Sequence, residues 1–326
     1  MIITVTTIVV LVIGALSLAL AVYGGTIANS IIEDSGNVPD SDSSAEKGYY
    51  LLGMIGLIVL SARILIVPIF FWMLQTLVPY CPGAMCASGV VNVAFPYSVG
   101  AIATKIFVPF TYGLWIVLEL SNRKQARLPL NRMLAMFFLY LILPLLFIDS
   151  ALDLLVVAAI RPISVPCCSS VYDVNPPFSP SSFLGPEMGF IILGAAIVFS
   201  LMLSGIQWFE STYSNLKNLS FLLASLSAFL YFIALHDTYA PIVLGLSTHH
   251  CPYCLFQEFP DTAFFSILFW IGIVTAAWRL LLEKTVIRFD ISVESISGMV
   301  SSLRKVSSIS LLFSMVSMLA HLSVAL

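Results

Sequence analysis

Long apolar stretches recur along the whole chain and are separated by short polar connections. A stretch of about 20 apolar residues is long enough to cross the hydrocarbon core of a bilayer as a helix. Eight stretches reach this length, at residues 2–23, 50–79, 98–119, 133–158, 187–207, 218–236, 262–281 and 306–325. The pattern therefore predicts an all-α, polytopic transmembrane helix bundle with about eight spans.

The first two stretches need separate arguments. The stretch 2–23 lies where a signal peptide would, but no Lys or Arg follows Met1 and its apolar core exceeds the usual length. We therefore expect it to be retained as a span. The stretch 50–79 contains Arg63 near its middle and should bend at Pro68. The alternative is that part of this stretch lies in the membrane interface and does not cross the bilayer.

Composition and charge agree with a membrane protein. Hydrophobic residues make up 60% of the 326 residues and charged residues only 10%, whereas a soluble domain carries about a quarter charged residues. The net charge of −3 favours neither nucleic acid nor an anionic partner. We expect a single membrane domain over 1–326 that contacts the lipid bilayer and has a polar loop over 24–48. We find no convincing internal repeat.

The basic residues indicate the orientation of the chain. Ten of the 14 Lys and Arg residues lie in or beside three connections: Arg123, Lys124, Arg127, Arg132, Lys217, Arg279, Lys284, Arg288, Arg304 and Lys305. By the positive-inside rule these connections face the cytoplasm or its equivalent. Alternation of the spans then places the longest remaining loops, 80–97, 159–186 and 237–261, on the opposite face.

Those three outer loops contain all six cysteines. The outer face of a membrane usually meets an oxidising compartment, where both structural disulfides and thiol chemistry occur. We therefore predict an integral multi-pass protein whose cysteine-bearing loops lie on the non-cytoplasmic side.

The most informative motif is Cys251-Pro252-Tyr253-Cys254, just ahead of the span 262–281. Two thiols at this spacing lie within one helical turn and can cycle between dithiol and disulfide. One attacks as a thiolate, and the other resolves the mixed disulfide. Cys251 would ionise early if it lies at a helix start. A static disulfide, or half of a metal site, explains the same spacing.

Two further cysteine pairs lie in the other outer loops. Cys81 and Cys86 follow the second span and suit a fixed relay pair, with a disulfide that staples the loop as the alternative. Cys167 and Cys168 are adjacent, and a disulfide between neighbours is strained. Each is therefore expected to form a structural disulfide elsewhere or to stay reduced.

The histidines beside the first motif raise a metal-binding alternative. His249 and His250, together with the thiolates of Cys251 and Cys254, would suit zinc or copper. Against this, adjacent His side chains point apart in regular structure, and the motif lacks a spaced second half.

Four charged residues fall within or near apolar stretches: Arg63, Lys105, Asp149 and Asp153. A charge in hydrocarbon is costly and tends to mark a functional site, a cavity or an ion pair. Lys105 and Asp153 should both lie toward the outer leaflet, where they can pair. These four residues alone do not define a proton path.

The layout of spans and cysteines resembles the vitamin K epoxide reductase family. That family has a four-helix core with a cysteine pair in the loop after its first helix. A Cys-x-x-Cys lies at the outer end of its last core helix, beside a quinone pocket. Here Cys81 and Cys86 follow the span 50–79, and the stretch 86–100 is similar to the family's passage into the next helix.

The resemblance implies a membrane thiol–disulfide oxidoreductase. Cys251 and Cys254 would exchange electrons with a quinone, while Cys81 and Cys86 would relay electrons to or from a thiol-bearing protein partner. The implied organisation is a redox core of 50–119 and 218–281, an inserted helical hairpin over 133–207 and an extra C-terminal span over 306–326.

A different class of protein accounts for the same features. A non-catalytic integral subunit of a larger membrane complex would use the cysteines to brace its outer loops with disulfides. Such a subunit would co-purify with other membrane subunits, and its cysteines would stay oxidised under mild reductant.

Overall fold

The computed structural model describes residues 2–34, 42–123, 128–164, 179–209, 216–289 and 293–325. Within these ranges, eight helices are long and apolar enough to cross a membrane. Each coincides with one of the eight predicted stretches, so the prediction of an all-α polytopic membrane protein is confirmed. The side of the membrane that the cysteine loops face stays a prediction.

The first half of the chain, Met1–Val165, forms one compact unit, called unit 1. Its described helices are α1 (Val5–Asp34), α2 (Asp42–Leu77), α3 (Ala87–Val93), α4 (Tyr97–Arg123), α5 (Leu128–Phe137) and α6 (Leu143–Ala159). A 3₁₀ turn at Val78–Tyr80 follows α2, and a π-helical turn at Phe138–Ile142 joins α5 to α6 in one span.

The second half, Pro166–Leu326, forms unit 2. Its described helices are α7 (Pro180–Leu184), α8 (Pro186–Phe209), α9 (Lys217–Ala234), α10 (Ala240–Leu244), α11 (Pro252–Glu258), α12 (Pro260–Arg288) and α13 (Ser297–Ala325). A π-helical turn at Leu235–Tyr239 continues α9 into α10, and a 3₁₀ turn at Val293–Ile296 leads into α13.

Two boundaries differ from expectation. Helix α1 continues to Asp34 and α2 begins at Asp42, so helix covers much of the predicted polar loop 24–48; residues 35–41 lie outside the described residues. An amide-to-carboxylate hydrogen bond from Asn29 to Glu33 at 2.8 Å supports the last turns of α1. Helix α2 runs uninterrupted through Pro68, and it is long enough to cross in full.

Each unit is a four-helix bundle closed in the same order. In unit 1 the packed pairs are α1–α2, α2–α4, α4–α6 and α6–α1, and in unit 2 they are α8–α9, α9–α12, α12–α13 and α13–α8. The short helices α3 and α11 occupy the same place, between the second and third spans of their units. A core of 50–119 and 218–281 would take two spans from each unit, and it stays a prediction.

The third spans of the two units correspond in a way that the sequence did not reveal. Helices α4 and α12 align without a gap when Phe95-Pro96 is placed on Phe259-Pro260, and Glu119 then falls on Glu283. Buried positions coincide at ten pairs: Ser98/Thr262, Ala101/Phe265, Lys105/Phe269, Val108/Gly272, Tyr112/Ala276, Trp115/Arg279, Ile116/Leu280, Leu118/Leu282, Glu119/Glu283 and Asn122/Val286. The same positions therefore face the core in both bundles.

Small residues on α2 allow close approach of α4 in unit 1. A Cβ atom added to Gly56 would collide with the ring of Trp115, and one added to Gly53 would collide with Glu119 and Arg123. Close helix contact of this kind is typical of membrane bundles, in which packing replaces the hydrophobic effect between helices.

A buried ion network connects the four spans of unit 1. Lys105 Nζ lies 2.6 Å from Asp149 Oδ1 and 2.7 Å from Asp153 Oδ1, and Arg63 Nη1 lies 2.7 Å from Asp149 Oδ2. Arg63 also donates to the carbonyl of Gly14 on α1 at 3.2 Å. All four charged side chains are at most 4% exposed. Lys105 and Asp153, which the sequence allowed to pair, form an ion pair.

Arg63→Leu should destabilise unit 1 by about 3–5 kcal/mol, because Asp149 and Asp153 would then share Lys105 as their remaining cation in a buried site. The measurement is the free energy of unfolding of the purified protein in mixed micelles titrated with SDS. Arg288→Leu, which removes an exposed Arg at the end of α12, is the control. A change below 1 kcal/mol for Arg63→Leu would show that the network does not support the bundle.

Candidate functional site

Cysteines precede the short helix of each unit at equivalent positions. Cys86 is the residue before α3 and Cys251 the residue before α11, and both have an extended backbone conformation. Pro252 at the first position of α11 favours a helix start there. The side chains of Cys86 and Cys251 are 1% and 0% exposed. Each unit therefore has one buried thiol at the residue before its short helix.

The second thiol of the Cys-x-x-Cys motif lies within α11. Its Sγ atom is within 4.8 Å of Cys251 Sγ. Cys254 is half-buried, whereas Cys251 is fully buried. A disulfide of about 2.05 Å therefore requires only a small approach of the two sulfurs, and Cys254 is the one open to a reaction partner. Among the cysteines in the described ranges, none forms a disulfide bond.

Cys81 is held in a tight turn after α2. Its N–H donates to the carbonyl of Val78 at 3.1 Å, and its carbonyl accepts from the N–H of Ala84 at 3.0 Å. The residue is 2% exposed, and burial raises the pKa of the Cys81 thiol. A raised pKa lowers the thiolate fraction at neutral pH, so Cys81 is a poor nucleophile.

His250 anchors the loop that leads to the Cys-x-x-Cys motif. Its ring Nδ1–H donates to the main-chain carbonyl of His236 at 3.0 Å, and the side chain is buried. In the π-helical turn the N–H of Ala240 donates to Leu235 instead of His236. Pro241, the next residue, has no N–H to offer. The carbonyl of His236 is therefore available for a side-chain donor.

The same π-helical turn holds a second segment through Asp237. The buried carboxylate of Asp237 accepts hydrogen bonds from the hydroxyl of Ser181 at 2.7 Å, from the N–H of Ser181 at 3.3 Å and from the hydroxyl of Ser179. Residues 179–181 are thereby fastened at the start of α7. Both anchors are within unit 2, and π-helical turns occur frequently at functional sites.

An aromatic cluster lies beneath α11. Leu255, the neighbour of Cys254, belongs to one buried cluster with Tyr239 and Phe265. The rings of Tyr239 and Phe265 meet edge to face with centroids 5.8 Å apart. The buried hydroxyl of Tyr239 has no hydrogen-bond partner among the described residues, so a donor is available to an incoming acceptor group.

The remaining site predictions have different outcomes. His249 is half-buried, and because Nδ1 of His250 is engaged, a metal at His250 would have to bind at Nε2. Zinc or copper binding stays a prediction. Cys167 and Cys168 lie outside the described residues.

Sequence reasoning missed the residues that position the loop. His236 and Asp237 lie at the end of an apolar span, and we assigned neither of them a role. Pro241, one residue beyond the π-helical turn, was the available signal, because a proline in a span forces a change in the helical hydrogen-bond pattern.

Comparison of this chain with protein-family models, curated proteins and solved structures finds no match.

The exposure of the thiols makes a first prediction about their reactivity. In the reduced, folded protein at pH 7, N-ethylmaleimide should modify Cys254 faster than Cys81. The modification rate of Cys81 should begin to rise at a higher pH than the rate of an ordinary thiol, because burial raises the pKa of the Cys81 thiol. Mass spectrometry of the labelled peptides gives both rates. Equal rates in the folded protein would contradict the prediction, and the unfolded protein, in which the rates should converge, is the control.

The anchor at His250 can be tested in the same assay. His250→Ala removes one hydrogen bond worth about 1 kcal/mol, so labelling of the buried Cys251 should increase about fivefold. His249→Ala, which leaves the bond to His236 intact, is the matched control and should change the rate little. The assignment is wrong if both variants behave alike.

Proposed function

We propose that the protein is a membrane thiol–disulfide oxidoreductase that exchanges electrons between protein thiols and a quinone. Cys251 and Cys254 are the redox pair. The observation that carries the proposal is the geometry of this pair, with two sulfurs within 4.8 Å, one fully buried and the other half-buried.

The unequal burial assigns different roles to the two sulfurs. In the oxidised pair, a substrate thiolate attacks the accessible sulfur of Cys254, and the Cys251 sulfur leaves as a thiolate. A second substrate thiolate then attacks the mixed disulfide, which releases the substrate as a disulfide and leaves Cys254 reduced. Two electrons have passed from the substrate to the pair. The spacing of the motif left the attacking thiol open, and the unequal burial of the two sulfurs supports Cys254.

The quinone is the second substrate. It takes two electrons and two protons from the Cys251/Cys254 dithiol and leaves as the quinol, and the disulfide forms again. The aromatic and aliphatic residues beneath α11 suit an apolar ring, and the buried hydroxyl of Tyr239 suits a quinone carbonyl as acceptor. Reduction of the quinone thereby resets the pair for the next substrate.

Cys81 and Cys86 are the second candidate pair. They lie in the loop of unit 1 that precedes its short helix, and both thiols are buried; in the proposal they relay electrons to or from a protein thiol. We place both cysteine loops on the non-cytoplasmic side, as the distribution of basic residues indicates.

Trapping of the mixed disulfide tests the roles of the two sulfurs. The reduced protein is mixed with a two-cysteine peptide in its disulfide form, which a Cys254 thiolate attacks. Cys251→Ser lacks the resolving thiol and should accumulate a mixed disulfide through Cys254, whereas Cys254→Ser should accumulate much less because Cys251 is buried. Non-reducing gels and mass spectrometry identify the adduct. Absence of adduct in both variants, with unchanged quinone reduction, would overturn the proposal.

The quinone site is tested by Tyr239→Phe. Loss of one hydrogen bond of about 1–1.5 kcal/mol to the quinone should raise the KM for a soluble quinone analogue about tenfold while leaving adduct formation by Cys251→Ser unchanged. Quinone reduction is followed by absorbance with dithiothreitol as the electron donor. An unchanged KM would remove Tyr239 from the quinone site.

A further inference from the structure

Helix α4 carries a line of buried polar side chains along most of its length. Ser98, Lys105, Tyr112 and Glu119 follow one another at intervals of seven residues, and none is more than 4% exposed. Seven residues make about two helical turns, a rise of about 10 Å, so these side chains lie on one face of α4. The line runs from the end of α4 nearest Cys86 toward Arg123, at the opposite end of the helix.

Two polar atoms on this line lack a hydrogen-bond partner among the described residues, the hydroxyl of Tyr112 and Oε2 of Glu119. Nε of Arg63, on α2, also lacks one. Buried polar atoms of this kind are rare in proteins and usually bind an ordered water. Ordered water beside Tyr112 and Glu119 would satisfy the two atoms that lie between the ion network and the far end of α4.

The ion network forms the middle of the line. Lys105 contacts both carboxylates of α6, and Arg63 of α2 neutralises Asp149 from the other side. Asp153 has Lys105 as its partner and shares it with Asp149. Helix α1 contributes the Gly14 carbonyl, which accepts from Arg63. Asp153 is therefore the carboxylate that can take up a proton at the smallest loss of pairing.

Unit 2 supplies an internal comparison. The positions that correspond to the four residues of the line are Thr262, Phe269, Ala276 and Glu283. The two ends of the line are polar in both units. Its two middle positions are apolar in unit 2, where the ring of Phe269 stacks on that of Tyr231 with centroids 3.8 Å apart. Both bundles have the same order of packed helices. The shared fold therefore does not require charged or phenolic groups at these two positions.

We propose that unit 1 contains a proton path along α4. A proton passes between Asp153, the Tyr112 hydroxyl and Glu119 through intervening water, while Lys105 and Arg63 keep the site electrically balanced. At the far end Glu119 pairs with Arg123, whose side chain is 31% exposed, so this end reaches water. The path involves no thiol, and it goes beyond the proposed oxidoreductase function.

The test is proton flux through the full-length protein in liposomes that contain pyranine. A potassium gradient with valinomycin drives protons inward, and the pyranine signal reports the rate without thiol or quinone substrates. The wild-type rate should exceed that of protein-free vesicles. Glu119→Gln should return it to that background, and Tyr112→Phe should lower it about tenfold, because each removes a proton-transfer group.

Glu283→Gln is the matched control, because it changes the corresponding carboxylate of unit 2, where Phe269 and Ala276 interrupt the line. Its rate should equal that of the wild-type protein. Tyr112→Phe removes a hydroxyl with no protein partner among the described residues, so its unfolding free energy should be unchanged. A wild-type rate at the protein-free level, or equal rates in all three variants, would overturn the proposal. Failure of the thiol assays would leave this result unaffected.

Discussion

Lys105 neutralises two carboxylates at once inside a lipid-facing bundle, and the packing of unit 1 depends on this interaction. Asp149 and Asp153 are one helical turn apart on α6, so a single ammonium group can lie between them only at one rotation and one height of α4. Arg63 fixes α2 against the same carboxylates. Because hydrocarbon offers no water to a charge, the charges set the register of the spans and the apolar contacts then fill the space around them.

The comparison of the two units separates fold from function. Both bundles share their order of helices, the Phe-Pro start of the third span and a cysteine before the short helix. Their polar groups are distributed differently. On the third span, unit 1 has Lys105 and Tyr112 where unit 2 has Phe269 and Ala276, and unit 2 has buried polar groups beside its cysteine loop at His236, Asp237 and His250. The proposed proton path therefore belongs to unit 1 alone, whereas each unit contributes one of the proposed cysteine pairs.

The spans were predictable because hydropathy alone determines them, and α2 is one continuous helix through Pro68. The correspondence between α4 and α12 was not predictable in the same way. Identical residues such as Glu119 and Glu283 are few, and the two helices share mainly the positions at which they are buried. Hydropathy does not identify those positions when every face of a span is apolar. The burial of Cys251 relative to Cys254 depends on the packing of α11, so the spacing of the two cysteines alone does not say which of them meets the substrate.

Because of the π-helical turn at Leu235–Tyr239, the anchoring of the cysteine loop depends on the exact number of residues in this turn. A π-helical turn contains one residue more than the α-helical turn it replaces. Because the turn holds its extra residue within a single turn, deletion of that residue would restore regular α-helix with little rotation of the chain beyond it. His236 and Asp237 lie in the turn itself, so the deletion would displace these anchors from the segments they hold, although the span would remain long and apolar enough to insert. Related chains that keep this architecture should therefore tolerate substitutions in this turn more readily than insertions or deletions.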